Sequence, residues 1–350
     1  MALNYSFARI RQDTFLRAFH TLSEHGRAIA PHSVVWDSTR KCNLDCIHCA
    51  ARDKYQKELT FLEAKTLIDT LSGMNVSTLQ VTGGEPLMRK DMLEVLSYAA
   101  EKGLKTSLAT NGYLIDEKTA DDIVSAGVYL VQVSIDGTRQ AHNHIRNDQR
   151  SFERAISAVG YLKESSCPKV SVASTAMPSN LGTLRDLREI LIEKEADFWN
   201  IGTVLPAGKA KNKPELFLNR EQFRVLMDCI ISSKKEIETD LGENFPFLGE
   251  YEKKIRKRPL ICPAGIMSCC VGVDGHVRGC PDQQDSDGNR EGSILKERFE
   301  DIWTKGFVRY RGRKILKTDN RCFSCESKNA CFGGCHVMRE SGLQCIKDYL

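Results

Sequence analysis

Residues 34–49 read VVWDSTRKCNLDCIHC, a short β-forming run that leads directly into three cysteines, Cys42, Cys46 and Cys49, spaced C-x3-C-x2-C. What surrounds this stretch decides the fold. A helical segment follows near 60–72, then TLQVTG at 78–83 reads as a strand and 89–102 as a helix. The alternation recurs as KTSLATNG with 116–126, YLVQVSIDG with 151–164 and KVSVASTAM with 181–195, and FWNIGTVL precedes a helix near 219–238. Six strand–helix units at these spacings suit parallel strands joined by helical crossovers. They build a doubly wound sheet or a barrel, an α/β fold in either case. The position of the unusual residues favours a barrel. The cysteines follow the first strand, GGEP the second, TNG the third and SIDG the fourth. In β/α barrels the loops at the carboxyl ends of the strands share one face and build the active site.

The chain has 350 residues, 41% of them hydrophobic, which suffices for one large domain or a medium domain with an appendage. A net charge of +4 does not by itself imply nucleic acid. The basic runs KKIRKR (253–258) and VRYRGRKILK (308–317) read first as solvated faces. No run of eighteen apolar residues provides a transmembrane helix, and no signal-peptide pattern opens the sequence, so a cytoplasmic location is expected. In that compartment thiols stay reduced, and the fourteen cysteines therefore point to metal rather than disulfides. Three lie in the opening loop and nine between Cys262 and Cys345, while Cys167 and Cys229 stand alone.

Four regions are expected. Residues 1–33 carry a rough helical stripe (Phe7, Ile10, Phe15, Phe19, Leu22) and form a helical extension. Residues 34–240 hold the strand–helix units, 241–261 a basic linker, and 262–350 a cysteine-rich domain. Within the last, CPAGIMSCCVGVDGHVRGC predicts a β-hairpin turning at Asp274-Gly275. Residues 322–345 hold too much Cys and Gly for an apolar core and need an inorganic one.

Structural zinc takes four protein ligands, and His48 sits too close in the chain to Cys46 and Cys49 to join them easily. A [4Fe–4S] cluster held by three thiolates fits better, with one iron left open for a reactant. CNLDCIHC resembles the C-x3-C-x-φ-C signature of the radical S-adenosylmethionine (SAM) enzymes, with His48 at the usually aromatic position. VTGGEP at 81–86 resembles the same family's GGE motif. The resemblance implies a partial (β/α)6 TIM-like barrel. It also implies SAM bound at the open iron, reductive cleavage to a 5′-deoxyadenosyl radical, and hydrogen abstraction from a substrate. The SAM contacts it implies are His48, Gly83, Gly84, Glu85, Ser107, Asn111 and Ser134, with Arg146 meeting the carboxylate.

The remaining cysteines resemble the SPASM domain. Cys262 is followed by twelve residues, Gly275, four residues and Cys280, then by Cys322-x2-Cys325-x5-Cys331-x3-Cys335 and finally Cys345. That resemblance implies two auxiliary [4Fe–4S] clusters, three clusters in all. The first would use Cys262, Cys280 and Cys335, with Cys269 or Cys270 as a possible fourth ligand or none. The second would use Cys322, Cys325, Cys331 and Cys345. Acid–base candidates are Asp282 and Asp136.

SPASM-bearing enzymes chiefly modify peptides or proteins, which gives the expected substrate. A tetrapyrrole side chain is the alternative, with Arg309, Arg311 and Arg313 available for propionates. A ferredoxin or flavodoxin is the expected electron donor. A non-catalytic iron–sulfur or zinc protein that binds nucleic acid is the remote third reading.

Overall fold

A computed structural model describes residues 29–50, 57–242, 247–256, 262–311, 322, 324–331, 333–340 and 345. The expected N-terminal helix, Arg313 and part of the basic linker lie outside these residues. Seven parallel strands follow one another: β1 (Ser33–Asp37), β2 (Thr78–Thr82), β3 (Lys105–Thr110), β4 (Leu130–Ser134), β5 (Val170–Ala176), β6 (Phe198–Thr203) and β7 (Thr239–Leu241). Six crossovers link them through α1 (Phe61–Gly73), α2 (Met92–Glu101), α3 (Glu117–Ser125), α4 (Arg139–Arg146) with α5 (Ser151–Glu164), α6 (Leu184–Glu193) and α7 (Arg220–Ser233).

Local chemistry sets the helix starts. Thr60 and Glu63 form a reciprocal capping box at α1, with Thr60 N–H donating to Glu63 Oε2 at 2.7 Å. Asn219 and Gln222 do the same at α7, and Asp116 caps α3 through Thr119 N–H. The sheet separates two environments by the alternation of its strands. Val34 and Trp36 of β1 join the main core against the helices, with Leu67, Leu71, Leu79 and Val95. Val35, between them, instead meets Ala109 and Cys270 on the other face. Both faces of β1 are buried, as a parallel sheet requires.

Two features were not read from the sequence. β7 is three residues long and polar, so no hydrophobic run announced it. Its outer edge is covered where Arg256 Nη2 donates to Leu241 O at 3.0 Å and Lys234 Nζ to Thr239 O at 2.9 Å. The second feature is a strand of the cysteine-rich region that enters the barrel sheet. β8 (Ser268–Val271) pairs in parallel with β1, Val34 opposite Cys269 and Val35 opposite Cys270. It then turns through Gly275 into the antiparallel β9 (His276–Arg278), which pairs with β10 (Gly292–Ser293). The sheet order is β10-β9-β8-β1-β2-β3-β4-β5-β6-β7, with the β7 and β10 ends unjoined. The sheet is curved enough that residues following β1 and residues following β7 line the same cavity. This is the partial barrel that the resemblance implied, rather than the doubly wound sheet that the alternation left open. Among the described residues no helix is long and apolar enough to cross a membrane.

Candidate active site

The cavity at the carboxyl ends of the strands has a volume of about 1330 Å3. Cys42, Cys46 and Cys49 all face it, exposed, buried and half-buried respectively. Burial raises the Cys42 thiol to about 11, and neighbouring Glu85, Cys46 and Cys49 add to the shift against an opposing bond from Leu44 N–H. Burial raises the Cys46 thiol as well, so these two thiols are costly to ionise alone. A soft metal centre that takes the negative charge removes that cost, and an all-sulfur donor set suits an iron–sulfur cluster.

The loop is held from the GGEP side by backbone. Gly84 N–H donates to Thr39 O and Glu85 N–H to Lys41 O, both at 2.7 Å. A Cβ on Gly84 would stand 2.2 Å from Lys41 O, so only glycine permits this approach. The two glycines, expected from resemblance to border SAM, do line the cavity, and they also form the seat of the cysteine loop.

Glu85 is fully buried and is not among the cavity-lining residues. Its carboxylate accepts from Thr110 Oγ1 (2.8 Å), Asn111 N–H (2.8 Å) and Leu87 N–H (3.2 Å), which ties the GGEP turn to the end of β3. Burial raises its carboxyl to about 7 despite those three donors. Asn111 and Ser134 do line the cavity. Asn111 Nδ2 donates to Asn43 Oδ1 at 2.8 Å and lies 3.9 Å from Cys42 Sγ. Ser107 sits lower in β3, opposite Gln80 and Leu130, and does not reach the cavity.

His48 lines the cavity, and burial lowers its pKa to about 4, so the imidazole is neutral at physiological pH. Arg146, at the end of α4, places Nη1 3.8 Å from Cys46 Sγ. Its Nε lies 2.6 Å from Asp136 Oδ2, with both side chains buried. Burial alone would raise the Asp136 carboxyl, but Arg146, His48, His142 and the Thr175 N–H together outweigh it and the net shift is downward. Asp136 Oδ1 also accepts from Thr175 N–H at 2.9 Å. Asp136 is absent from the cavity lining, so its place is that of an anchor for Arg146 rather than of a base. Asp282 has the opposite fate. It lines the cavity, with Oδ2 4.0 Å from Cys280 Sγ.

Seven of the later cysteines fall into two groups by which thiols perturb one another. Burial raises Cys335 to about 12 with Cys262 adding to it, and Cys280 is raised by burial and then by Asp282, Cys335 and Cys262. Separately, burial raises Cys331 to about 11, with contributions from Cys345, Cys322 and Cys325. Cys331 and Cys335, four residues apart in the chain, thus have different thiols as their electrostatic neighbours. Cys269 and Cys270 lie within β8, one in the main core and one against Val35 and Ala109. Neither is among the neighbours that perturb Cys280 or Cys335.

Arg309 and Arg311, considered for propionates, are already used. Arg309 Nη1 donates to Asn289 Oδ1 at 2.7 Å and lies 3.7 Å from Glu340. Arg311 donates to Gly265 O at 2.7 Å and stacks over Trp303 at 4.5 Å. Neither lines the cavity. Sequence reasoning missed Arg40, Lys41, Asn200, Gly202, Lys209 and Gly242, which do. Gly202 lies near the carboxyl end of β6, where the rule that exposed the first four motifs would have found it, whereas Asn200 lies midway along the strand.

Residues 36–191 match the family model described as Radical SAM superfamily. The AdoMet-dependent heme synthase of Oleidesulfovibrio alaskensis is 29% identical over 326 residues, covering 87% of this chain and 82% of that one. Mycofactocin maturase MftC of Mycolicibacterium smegmatis is 27% identical over 311 residues, covering 87% and 78%. Among solved structures, Streptococcus suis SuiB bound to S-adenosylmethionine superposes with a TM-score of 0.74 at 16% identity, covering 93% of this chain and 77% of that one.

Proposed function

The chain belongs to the radical SAM superfamily, whose cofactors are a [4Fe–4S] cluster and SAM, and from that premise we propose that it abstracts hydrogen from a peptide or protein undergoing modification. Bound in the cavity, the cluster and SAM would supply the reductive radical chemistry. The chain's own residues do the rest. Cys42, Cys46 and Cys49 hold the cluster, and Gly83 and Gly84 present backbone to SAM. Asn111, Ser134, neutral His48 and the Asp136-anchored Arg146 orient it. Cys262, Cys280 and Cys335, and separately Cys322, Cys325, Cys331 and Cys345, hold two auxiliary clusters. Asp282, between the cavity and Cys280, is placed to take a proton from substrate. A small electron carrier such as ferredoxin or flavodoxin provides the electron.

The substrate class rests on the charge of the cavity wall. Its volume of about 1330 Å3 exceeds the roughly 300–1,000 Å3 of a site for one small ligand, which leaves room beside SAM. The wall carries four cations (Arg40, Lys41, Arg146, Lys209) and four carboxylates (Asp45, Glu58, Asp148, Asp282). Each cation has an acidic neighbour: Arg40 has Asp37, Lys41 has Glu58, Arg146 has Asp136 and Lys209 has Asp45. A macrocycle bearing several carboxylates calls for surplus positive charge, and among the described residues of this wall the cations and carboxylates are equal in number. Ser174, Thr175, Asn200, Gly202 and Gly242 on its far side suit the amides of an extended peptide. Tetrapyrrole side-chain chemistry remains the second reading, because the relatives named heme synthase are as similar in sequence as the maturases.

The test is to supply the reduced, reconstituted enzyme with SAM and a deuterated host extract split into peptide and small-molecule fractions. Deuterium in 5′-deoxyadenosine from the peptide fraction alone supports the reading. Label from the pigment-containing small-molecule fraction alone overturns it in favour of the tetrapyrrole.

A further inference from the structure

The cysteine loop is gripped from two sides, and the GGEP turn accounts for only one of them. The second grip comes from residues 204–217, the segment that follows β6. Val204, Ala210 and Leu216 are buried with Ile145 of α4 and Met177 in a small apolar cluster separate from the main core. Ile47, which lies between Cys46 and Cys49, packs against this cluster, as does Phe217. The backbone follows the same path. Ile47 N–H donates to Ile145 O at 3.0 Å, and Lys209 N–H donates to Cys49 O at 2.9 Å. The Lys209 ammonium pairs with the Asp45 carboxylate within the loop.

Gly208 is the point of closest approach. Its φ of +54° lies in the left-handed region, and a Cβ there would stand 2.3 Å from Cys49 O and 2.8 Å from Ala50 Cα. Both obstacles are backbone, so a side chain could be accepted only if the loop or the segment moved by about 1 Å. The same segment lines the cavity through Val204, Leu205, Gly208 and Lys209. One stretch of chain therefore touches the third cysteine on one side and the reactant volume on the other.

We propose that residues 204–217 are a strap that holds the three-cysteine loop in register for its cluster, and that Gly208 is a positioning residue for SAM binding at that cluster. The proposal rests on the reading of Cys42, Cys46 and Cys49 as the cluster site. Its physical basis is that three ligands from an eight-residue loop have little internal rigidity. A displacement of about 1 Å in such a constellation costs on the order of 10²-fold in function. The GGEP turn fixes the loop before Cys42, and the strap fixes it at Ile47 and Cys49.

The experiment compares wild type, Gly208→Ala and Ile47→Ala as full chains reconstituted anaerobically. Gly182→Ala serves as a control, because a Cβ at Gly182 meets nothing within 4 Å. Iron and sulfide per chain, the paramagnetic resonance spectrum of the reduced protein with and without SAM, and the Kd for SAM are measured. Gly208→Ala is expected to weaken SAM binding by at least about tenfold and to diminish the SAM-induced spectral change, with iron bound by the later cysteines retained. Gly182→Ala is expected to match wild type. Wild-type affinity and wild-type spectral change in Gly208→Ala overturn the strap. Should that variant fail to fold, Ile47→Ala decides: weakened SAM binding supports the strap and unchanged binding overturns it. If Cys42→Ala removes no iron from the chain, the cluster-site reading itself falls, and the strap falls with it.

Discussion

Asp136→Asn removes one charge from the buried pair with Arg146 while keeping the shape of the side chain. The amide oxygen it introduces can still accept from Thr175 N–H, but the amide nitrogen then faces the Arg146 Nε that the carboxylate met at 2.6 Å. Both groups are nearly inaccessible to water, so the guanidinium loses its carboxylate partner and keeps only the Cys46 sulfur, 3.8 Å from Nη1, beside it. Breaking such a pair from one side costs about 3–5 kcal/mol. With an unfolding entropy of about 2.1 cal/mol/K per residue over 350 residues, that lowers the melting temperature by about 4–7 °C. Arg146→Met added to Asp136→Asn removes the stranded charge and recovers much of the loss, because a well-packed apolar pair is often neutral in place of a buried ion pair. Anaerobic thermal melts of the wild type, the two single variants and the double variant form the cycle. A shift below about 1 °C for Asp136→Asn, or a double variant less stable than Asp136→Asn alone, would refute the anchoring role.

Two further outcomes follow from the buried groups. Glu85, raised to about 7 by burial, keeps in the folded state a proton that the unfolded chain releases near 4.5. Stability therefore falls as pH rises from about 4.5 to 7 and levels off above that window, and Glu85→Gln flattens the fall. Urea midpoints at four pH values across the window check the sign, and a midpoint that rises with pH contradicts it. Cys269→Ala and Cys270→Ala are expected to keep wild-type iron and lose stability only through the small cavity each leaves, whereas Cys280→Ala is expected to lose up to about four irons. Equal iron loss in Cys269→Ala and Cys280→Ala would give Cys269 a ligand's role.

The barrel was legible because its period is simple. Each apolar strand ends in a loop whose polar or glycine residues stand out, and Cys42, Gly84, Asn111 and Ser134 were all found at such ends. The side-chain roles were harder to read. Glu85 reads as a cavity residue from its place in GGEP, yet its three donors come from residues 87, 110 and 111, and only folding brings the last two within reach. Asp136 and Asp282 looked interchangeable as loop acids, and burial separated them into an anchor and a wall residue. β8 was read only as half of a hairpin because nothing in SCCV shows that its other partner is β1, more than two hundred residues earlier. Arg309 and Arg311 looked available because a linear run of cations does not reveal the carbonyls and carboxylates that fold around it.

The central claim is that Cys42, Cys46 and Cys49 leave one iron open and that SAM is cleaved there. The most direct measurement is 5′-deoxyadenosine formed per chain after reduction, in wild type and in Cys46→Ala, with iron quantified in both. The account predicts product from wild type and none from Cys46→Ala, whose iron falls by about four while the iron on the later cysteines stays. Undiminished 5′-deoxyadenosine from Cys46→Ala, or none from a wild-type protein with its full iron, would contradict it.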